Sequence, residues 1–308
     1  MTLMEHVERY LALKRALGLS YAEQAQLLRA YAVHAEALGD TRVVGATVLD
    51  WAARTSSKRQ ARKRLGVLRG FAAALHAEDP RHDVPSPDYF GKRDTRRKPP
   101  NLLSMRQIGR IMDAALTLPP AGSITPLTFH CMLGLLASTG LRRREAINLL
   151  LTDVTPDGLL IRNAKFGGNR LVPLHDSVRR AIDEYLAVRL RTDSRDEHLF
   201  ILSTGRSVNP GYLTSTYIRL ARASGVRGDP GEPGPRLHDL RHGFAVRALE
   251  RLDSMDRQEI GRHMLALSTY LGHASVANTY WYLEATPVLL GKVSQATERL
   301  LTGRRNDD

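Results

Sequence analysis

Apolar positions recur at helical spacing through the first eighty residues, then change rhythm twice further along the chain. Val7, Tyr10, Leu11, Leu13 and Leu17 predict a first helix that Gly18 ends. Ser20, with Glu23 three residues later, reads as a capping box opening a second helix that runs toward Leu38 and stops at Gly39-Asp40. A shorter helix is expected around Ala46 to Ala53. Leu65, Val67, Leu68, Phe71 and Leu75 then lay an apolar face along a fourth. The stretch from Arg54 to Gly70 carries Arg54, Lys58, Arg59, Arg62, Lys63, Arg64 and Arg69 and no acid. A helix with one apolar and one basic side either suits a duplex backbone or is a solvated face.

Prolines break the pattern between 79 and 100, where Pro80, Pro85, Pro87, Pro99 and Pro100 rule out a regular helix and suggest a linker. Lys92, Arg93, Arg96, Arg97 and Lys98 make its later part basic. Past Asn101 the helical period returns. Ser104 and Gln107 form a capping box ahead of Ile108, Ile111, Met112 and Ala115. A helix after Pro126 ends at Thr139-Gly140, and a short one spans Arg142 to Leu149. The period then drops to two. Val154-Thr155, a turn at Asp157-Gly158, Leu159 to Ile161, a turn at Gly167-Gly168 and Leu171 to Leu174 predict a small antiparallel sheet. Helices resume at Ser177 to Leu190, Asn209 to Ser224 and His238 to Leu249. Leu289, Leu290, Val293, Ala296, Leu300 and Leu301 keep helical spacing near the end, in a helix that would dock on its own domain or on a neighbouring protomer. The expected architecture is mainly α with a small antiparallel β-sheet. A helical unit over 1–90 and a basic, proline-containing linker over 91–101 precede an α+β unit over 102–308.

Charge narrows the partner. The 308 residues hold 45 Lys plus Arg against 32 Asp plus Glu, a formal net charge of +13. Such a surplus gains from a dense line of phosphates through counterion release, so nucleic acid is the first expectation. The single cysteine, Cys131, lies in an apolar run and reads as a core thiol; it permits no internal disulfide. No Cys/His cluster has zinc-ligand spacing. No apolar run approaches the roughly 20 residues that span a bilayer, and the N-terminus lacks the apolar segment of a signal peptide. A cytoplasmic protein is expected, with no membrane partner.

Six positions in the second unit form a candidate site. Arg142 follows Gly140 at a helix start, where free N–H groups favour phosphate. Lys165 sits in a hairpin turn. His238 and Arg241 are three apart, so they share a helix face and can hold one phosphate together. His273 follows Gly272, which lets the backbone approach something closely. Tyr282 follows nine residues later. His242 reads as pointing elsewhere, as a packing residue or a support behind the site residues, and Glu145 as a structural ion-pair partner.

Together these segments resemble the tyrosine recombinases of the phage-integrase family. Thr139-Gly140-Leu141-Arg142-Arg143-Arg144-Glu145 is similar to that family's first-arginine motif. Lys165 ahead of Arg170-Leu171-Val172-Pro173-Leu174 is similar to its hairpin lysine segment. His238-Asp239-Leu240-Arg241-His242 resembles its His-x-x-Arg box, and Leu271-Gly272-His273 with Tyr282 its last box. The likeness covers residues 101 to 290; the N-terminal helices match the family's core-binding domain only in size, charge and helicity. One departure is the long interval from Arg241 to His273. The tail from Thr279 to Pro287 resembles recombinases of mobile elements, including the recombinase-in-trio type.

The resemblance implies metal-independent cleavage and rejoining of DNA strands without a cofactor, for integration, excision or transposition. Tyr282 would be the nucleophile, with Arg142, Lys165, His238, Arg241 and His273 as the other catalytic residues. It implies double-stranded DNA as partner and a homo-tetramer on two synapsed sites, with or without partner recombinases. Lys58, Arg59, Arg62, Lys63, Arg64, Arg96, Arg97 and Lys98 are the expected DNA contacts outside the site. The alternatives are a type IB topoisomerase-like relaxase and a catalytically silent, sequence-specific DNA-binding protein.

Overall fold

The computed structural model describes residues 1–91, 100–162, 168–250, 257–272, 275, 277–280 and 282. The chain divides into two compact units, Met1–Arg97 and Lys98–Asp308.

The first unit packs four helices, α1 (Leu3–Ala16), α2 (Ala22–Ala37), α3 (Gly45–Ala53) and α4 (Lys58–His76). Its core joins Leu3, Val7, Leu11, Leu28, Tyr31, Leu65, Leu68 and Phe71. Leu13 and Leu17, placed by their spacing on the apolar face of α1, stand exposed instead, and Leu3 is the buried residue that completes that face. The expected capping box at Ser20 and Glu23 does not form. Tyr21 is the N-cap of α2, in the left-handed region at φ 45°, and contributes no side-chain cap. Its ring meets Tyr10 edge-on at 6.1 Å, so ring packing rather than a cap sets the entry to α2. A capping box does open α1, between Thr2 and Glu5.

The stretch after Asp79 also departs from expectation, because its first part is tied to the helices. His82 is buried, and its Nδ1 accepts from the backbone N–H of Val43 at 3.0 Å. Asp83 accepts from the N–H of Gly45 at 2.9 Å, and Arg69 donates to the carbonyl of Pro85 at 2.6 Å. Proline content excluded a helix there but did not make the segment loose.

Along α4 the cations divide. Lys58 and Arg59 are exposed. Lys63 pairs with Glu23. Arg64 lies over the Trp51 ring, 4.7 Å from its centroid, and donates to the Arg54 carbonyl at 2.5 Å. Arg96, Arg97 and Lys98 lie outside the described residues.

In the second unit the expected mainly helical fold with a small antiparallel sheet is found. Its helices are α5 (Met105–Ala115), α6 (Ile124–Thr139), α7 (Arg143–Ile147), α8 (Asp176–Arg189), α9 (Pro210–Ala223), α10 (Leu237–Glu250), α11 (Arg257–Leu271) and α12 (Ala277–Tyr280). Ser104 and Gln107 cap α5 as their spacing predicted. Helix α6 is apolar almost all round and central, with α5, α8 and α10 packed against it. Between α7 and α8 the strands β1 (Val154–Thr155), β2 (Gly158–Ile161) and β3 (Arg170–Val172) form a sheet in that order, both pairs antiparallel. Ile161 pairs with Arg170, so the register fixes Arg170 at the opening of β3. Cys131 is buried as expected, and burial pushes its thiol up to about 12. Among the described residues no cluster could hold a metal ion, and no helix is long and apolar enough to cross a membrane. The C-terminal segment 288–301 lies outside the described residues.

Candidate active site

Five elements of the second unit, α6, α7, β3, α10 and α11, meet where the sequence motifs converge. Helix α6 ends at Gly140, whose φ of +64° disfavours any side chain; a Cβ there would also come within 2.6 Å of the Phe244 ring. The turn after it makes Arg142 the N-cap of α7, in extended backbone. The backbone N–H of Arg142 donates to Glu145 Oε2 at 2.8 Å, and its Nη1 donates to Oε1 at 2.8 Å. Arg170 approaches the same carboxylate from β3, with Nη1 and Nη2 at 3.0 and 2.9 Å from its two oxygens. Glu145 therefore has the structural ion-pair role expected of it. Burial alone would push its carboxyl up; the bonds from Arg170 and Arg142 more than offset this and hold it at about 2.

Three guanidiniums also grip the end of α11. Arg170 Nε donates to the Tyr270 carbonyl at 2.9 Å, Arg241 Nη2 to Leu271 at 2.8 Å, and Arg142 Nη2 to Gly272 at 2.6 Å. The last carbonyls of a helix have no intrahelical partner and lie at the negative end of its dipole, which explains why cations collect there. Arg241 reaches back with Nη1 to the Gly140 carbonyl at 2.7 Å, joining the ends of α6 and α11. Gly272, at φ +64°, is close to two of these arginines: a Cβ would lie 3.1 Å from Arg170 Nη1 and 3.3 Å from Arg142 Nη1. That is the close approach its sequence position suggested.

The electrostatics favour an anion. Two guanidiniums, those of Arg142 and Arg170, share one carboxylate, and Arg241 lies close enough to feel the charge of Arg142. Burial, and then the charge of Arg142, pull Arg241 down to about 10, which still leaves it charged at neutral pH. Like charges held this close gain when a phosphate enters. His238, one helical turn before Arg241 and solvent-facing, is pushed down by partial desolvation and then by Arg241.

Tyr282 is 3% exposed and packs with Ala245, Val246, Leu249, Met264, Leu267 and Leu271, whereas Tyr280 is 52% exposed. The Tyr282 hydroxyl lies 3.2 Å from His242 Nδ1. The structure thus corrects the reading of His242 as pointing elsewhere. Four residues after His238 it shares that helical face, and the two imidazoles meet edge-on at 4.5 Å. In the sequence Arg170 is visible only as part of a motif; no local spacing reveals that it shares Glu145 with Arg142. Of the six expected catalytic residues, the structure brings together Arg142, His238, Arg241 and Tyr282. Lys165 and His273 lie outside the described residues.

Comparison with known proteins identifies the family. The profile of the phage integrase family matches residues 101–287. "Putative integrase/recombinase y4rB" of Sinorhizobium fredii is 36% identical over 97% of this chain and 98% of its own length. The tyrosine recombinase XerD of Brucella abortus is 27% identical over 75% of this chain and 73% of its own. Among solved structures, a lambda integrase tetramer bound to a Holliday junction shares the fold with a TM-score of 0.62 at 16% identity, covering 92% of this chain and 77% of that one.

Proposed function

The chain belongs to the phage integrase family, and we propose that it cuts and rejoins DNA by forming a 3′-phosphotyrosine on Tyr282. The Tyr282 oxygen forms a bond to the scissile phosphorus as the bond to the 5′-oxygen breaks. The energy of that bond is kept in the covalent intermediate, so rejoining needs no ATP. The observation that carries this reading is the pair Arg142 and Arg170 on the Glu145 carboxylate beside the buried Arg241, with a tyrosine hydroxyl held on the same helix, α10, that bears Arg241.

Arg142 and Arg241 stabilise the charge that develops on the non-bridging oxygens, each offering parallel donors and a permanent charge. The α11 carbonyls aim these guanidiniums before substrate arrives. His238 adds a donor to the phosphate. Lys165 protonates the leaving 5′-oxygen and His273 contributes a further donor; both roles follow from the motifs they occupy.

The substrate is double-stranded DNA, in a cytoplasmic setting, and the active form is a homo-tetramer on two synapsed sites, with or without partner recombinases. Lys58, Arg59, Arg62, Lys63, Arg64, Arg96, Arg97 and Lys98 supply backbone contacts. The tetramer in the lambda integrase complex supports this assembly. Similarity to a recombinase along almost the whole chain favours strand exchange over simple relaxation.

The test is a nicked suicide duplex carrying the element's own end, incubated with wild type and with Tyr282→Phe. A covalent protein–DNA band on a denaturing gel with wild type and none with the variant is expected. A band with both would move the nucleophile to another residue.

A further inference from the structure

We propose that His242 positions the nucleophile, its Nδ1 accepting a hydrogen bond from the Tyr282 hydroxyl and so fixing the direction of that oxygen before attack. The inference rests on Tyr282 being the nucleophile. The hydroxyl is 3.2 Å from Nδ1, and the two rings are tilted at 57° with centroids 5.5 Å apart, so the imidazole edge faces the phenol oxygen.

The same helix carries the phosphate donors. His238, Arg241 and His242 occupy successive positions on one side of α10, itself packed on the central α6. A tyrosine held through His242 is therefore placed relative to Arg241 by a single rigid element, not by the shorter α12 before it. Nucleophilic attack needs the reacting atoms about 3 to 3.5 Å apart and aligned, and loss of such alignment costs on the order of 10²-fold in rate.

Acceptance requires a neutral ring with its proton on Nε2. The groups facing His242 favour that state. Burial and the neighbouring His238 lower its proton affinity most; Arg236 and Arg241 add to this, and Asp239 opposes it, leaving the ring at about 4. Such a ring is uncharged at neutral pH. Its work is to orient the hydroxyl; as the oxygen–phosphorus bond forms, the phenol proton passes to solvent water.

The experiment measures single-turnover covalent-complex formation at saturating nicked DNA, together with DNA affinity, for the full chain as wild type, Tyr282→Phe, His242→Phe and His242→Asn. His242→Phe keeps an aromatic ring and removes the acceptor. It should bind DNA as wild type does and form the complex on the order of 10²-fold more slowly. His242→Asn puts Oδ1 where Nδ1 was and should recover most of that loss. Wild-type rate in His242→Phe, or an asparagine variant no faster than the phenylalanine one, would overturn the positioning role. Complex formation by Tyr282→Phe would instead overturn the assignment of the nucleophile.

Discussion

On α4, Lys58, Arg59 and Lys63 stand on the solvent side of a helix whose other side is buried, while Arg142, Arg170 and Arg241 are enclosed by the elements they connect. Lys58 and Arg59 are exposed, and Lys63 meets its one acidic partner, Glu23, at the surface. Arg241, by contrast, is 3% exposed and spends its donors on two backbone carbonyls. An exposed cation costs nothing to keep, and salt screens it. An enclosed one has lost its water and stays charged only because carbonyls and a carboxylate replace that water. In the proposed reaction the first arrangement gathers a polyanion without regard to its detail, and the second is organised in advance for one phosphate, which is the condition for lowering a barrier.

The sharpest way to break this contrast is to remove an enclosed arginine. Arg241→Ala takes a donor from the phosphate and leaves the carbonyls of Gly140 and Leu271 without theirs. Covalent-complex formation should fall on the order of 10²-fold or more, measured in single turnover at saturating DNA. Arg241→Lys keeps the charge but not the fork and should recover only part of the loss. A variant of α4 with an equal effect on the cleavage step would dissolve the distinction.

Glu145 tests the same enclosure through stability. Glu145→Gln leaves Arg142 and Arg170 facing each other without the carboxylate between them. Urea unfolding at pH 7 should show a loss of about 3 kcal/mol, the usual cost of breaking a buried pair from one side. The folded carboxyl titrates at about 2 against an ordinary 4.5. A depressed carboxylate contributes its full stability above the ordinary value and loses it as pH falls toward the folded one. The difference between wild type and variant should therefore be constant from pH 5 upward and shrink between about 4.5 and 2. A difference that grows on acidification would mean that Glu145 is not held by its arginines.

The contrast also marks what sequence could show. The α5 capping box, the glycine ending α6 and the three short strands were legible because each depends on residues within a few positions of one another. The entry to α2 was not, because a ring contact at Tyr21 replaces the side-chain cap that Ser20 and Glu23 suggested. The anchoring of His82 to Val43 crosses 39 positions, and that of Arg170 to Tyr270 crosses 100. No local pattern encodes such pairs. In the site, the motifs identified Arg142, His238, Arg241 and Tyr282. The sharing of Glu145 by Arg170 and the contact of His242 with Tyr282 emerged only once folding had brought β3 to Glu145 and Tyr282 against α10.

On the exposed side the effects should be smaller and confined to binding. The double variant Lys58→Ala/Arg59→Ala should leave the urea midpoint and the saturated cleavage rate unchanged. The slope of log affinity against log salt should fall by about 2, near 0.9 for each phosphate that is no longer neutralised. An unchanged slope would remove both residues from the interface.

The smallest effect comes from adding to the basic face without adding a cation. Glu23 is exposed and pairs with Lys63, so it both occupies an ammonium and sets a negative charge where phosphate would approach. An exposed pair of this kind contributes between about 0 and 1 kcal/mol to stability, because both ends remain in water. Glu23→Gln should therefore shift the urea midpoint little. It should tighten DNA binding at low salt by a few-fold at most, since freeing one screened charge is worth no more than about 1 kcal/mol. The gain should vanish at high salt. Weaker binding by the variant would mean that Glu23 holds Lys63 in its working position, and α4 would then share the pre-arranged character of the active site.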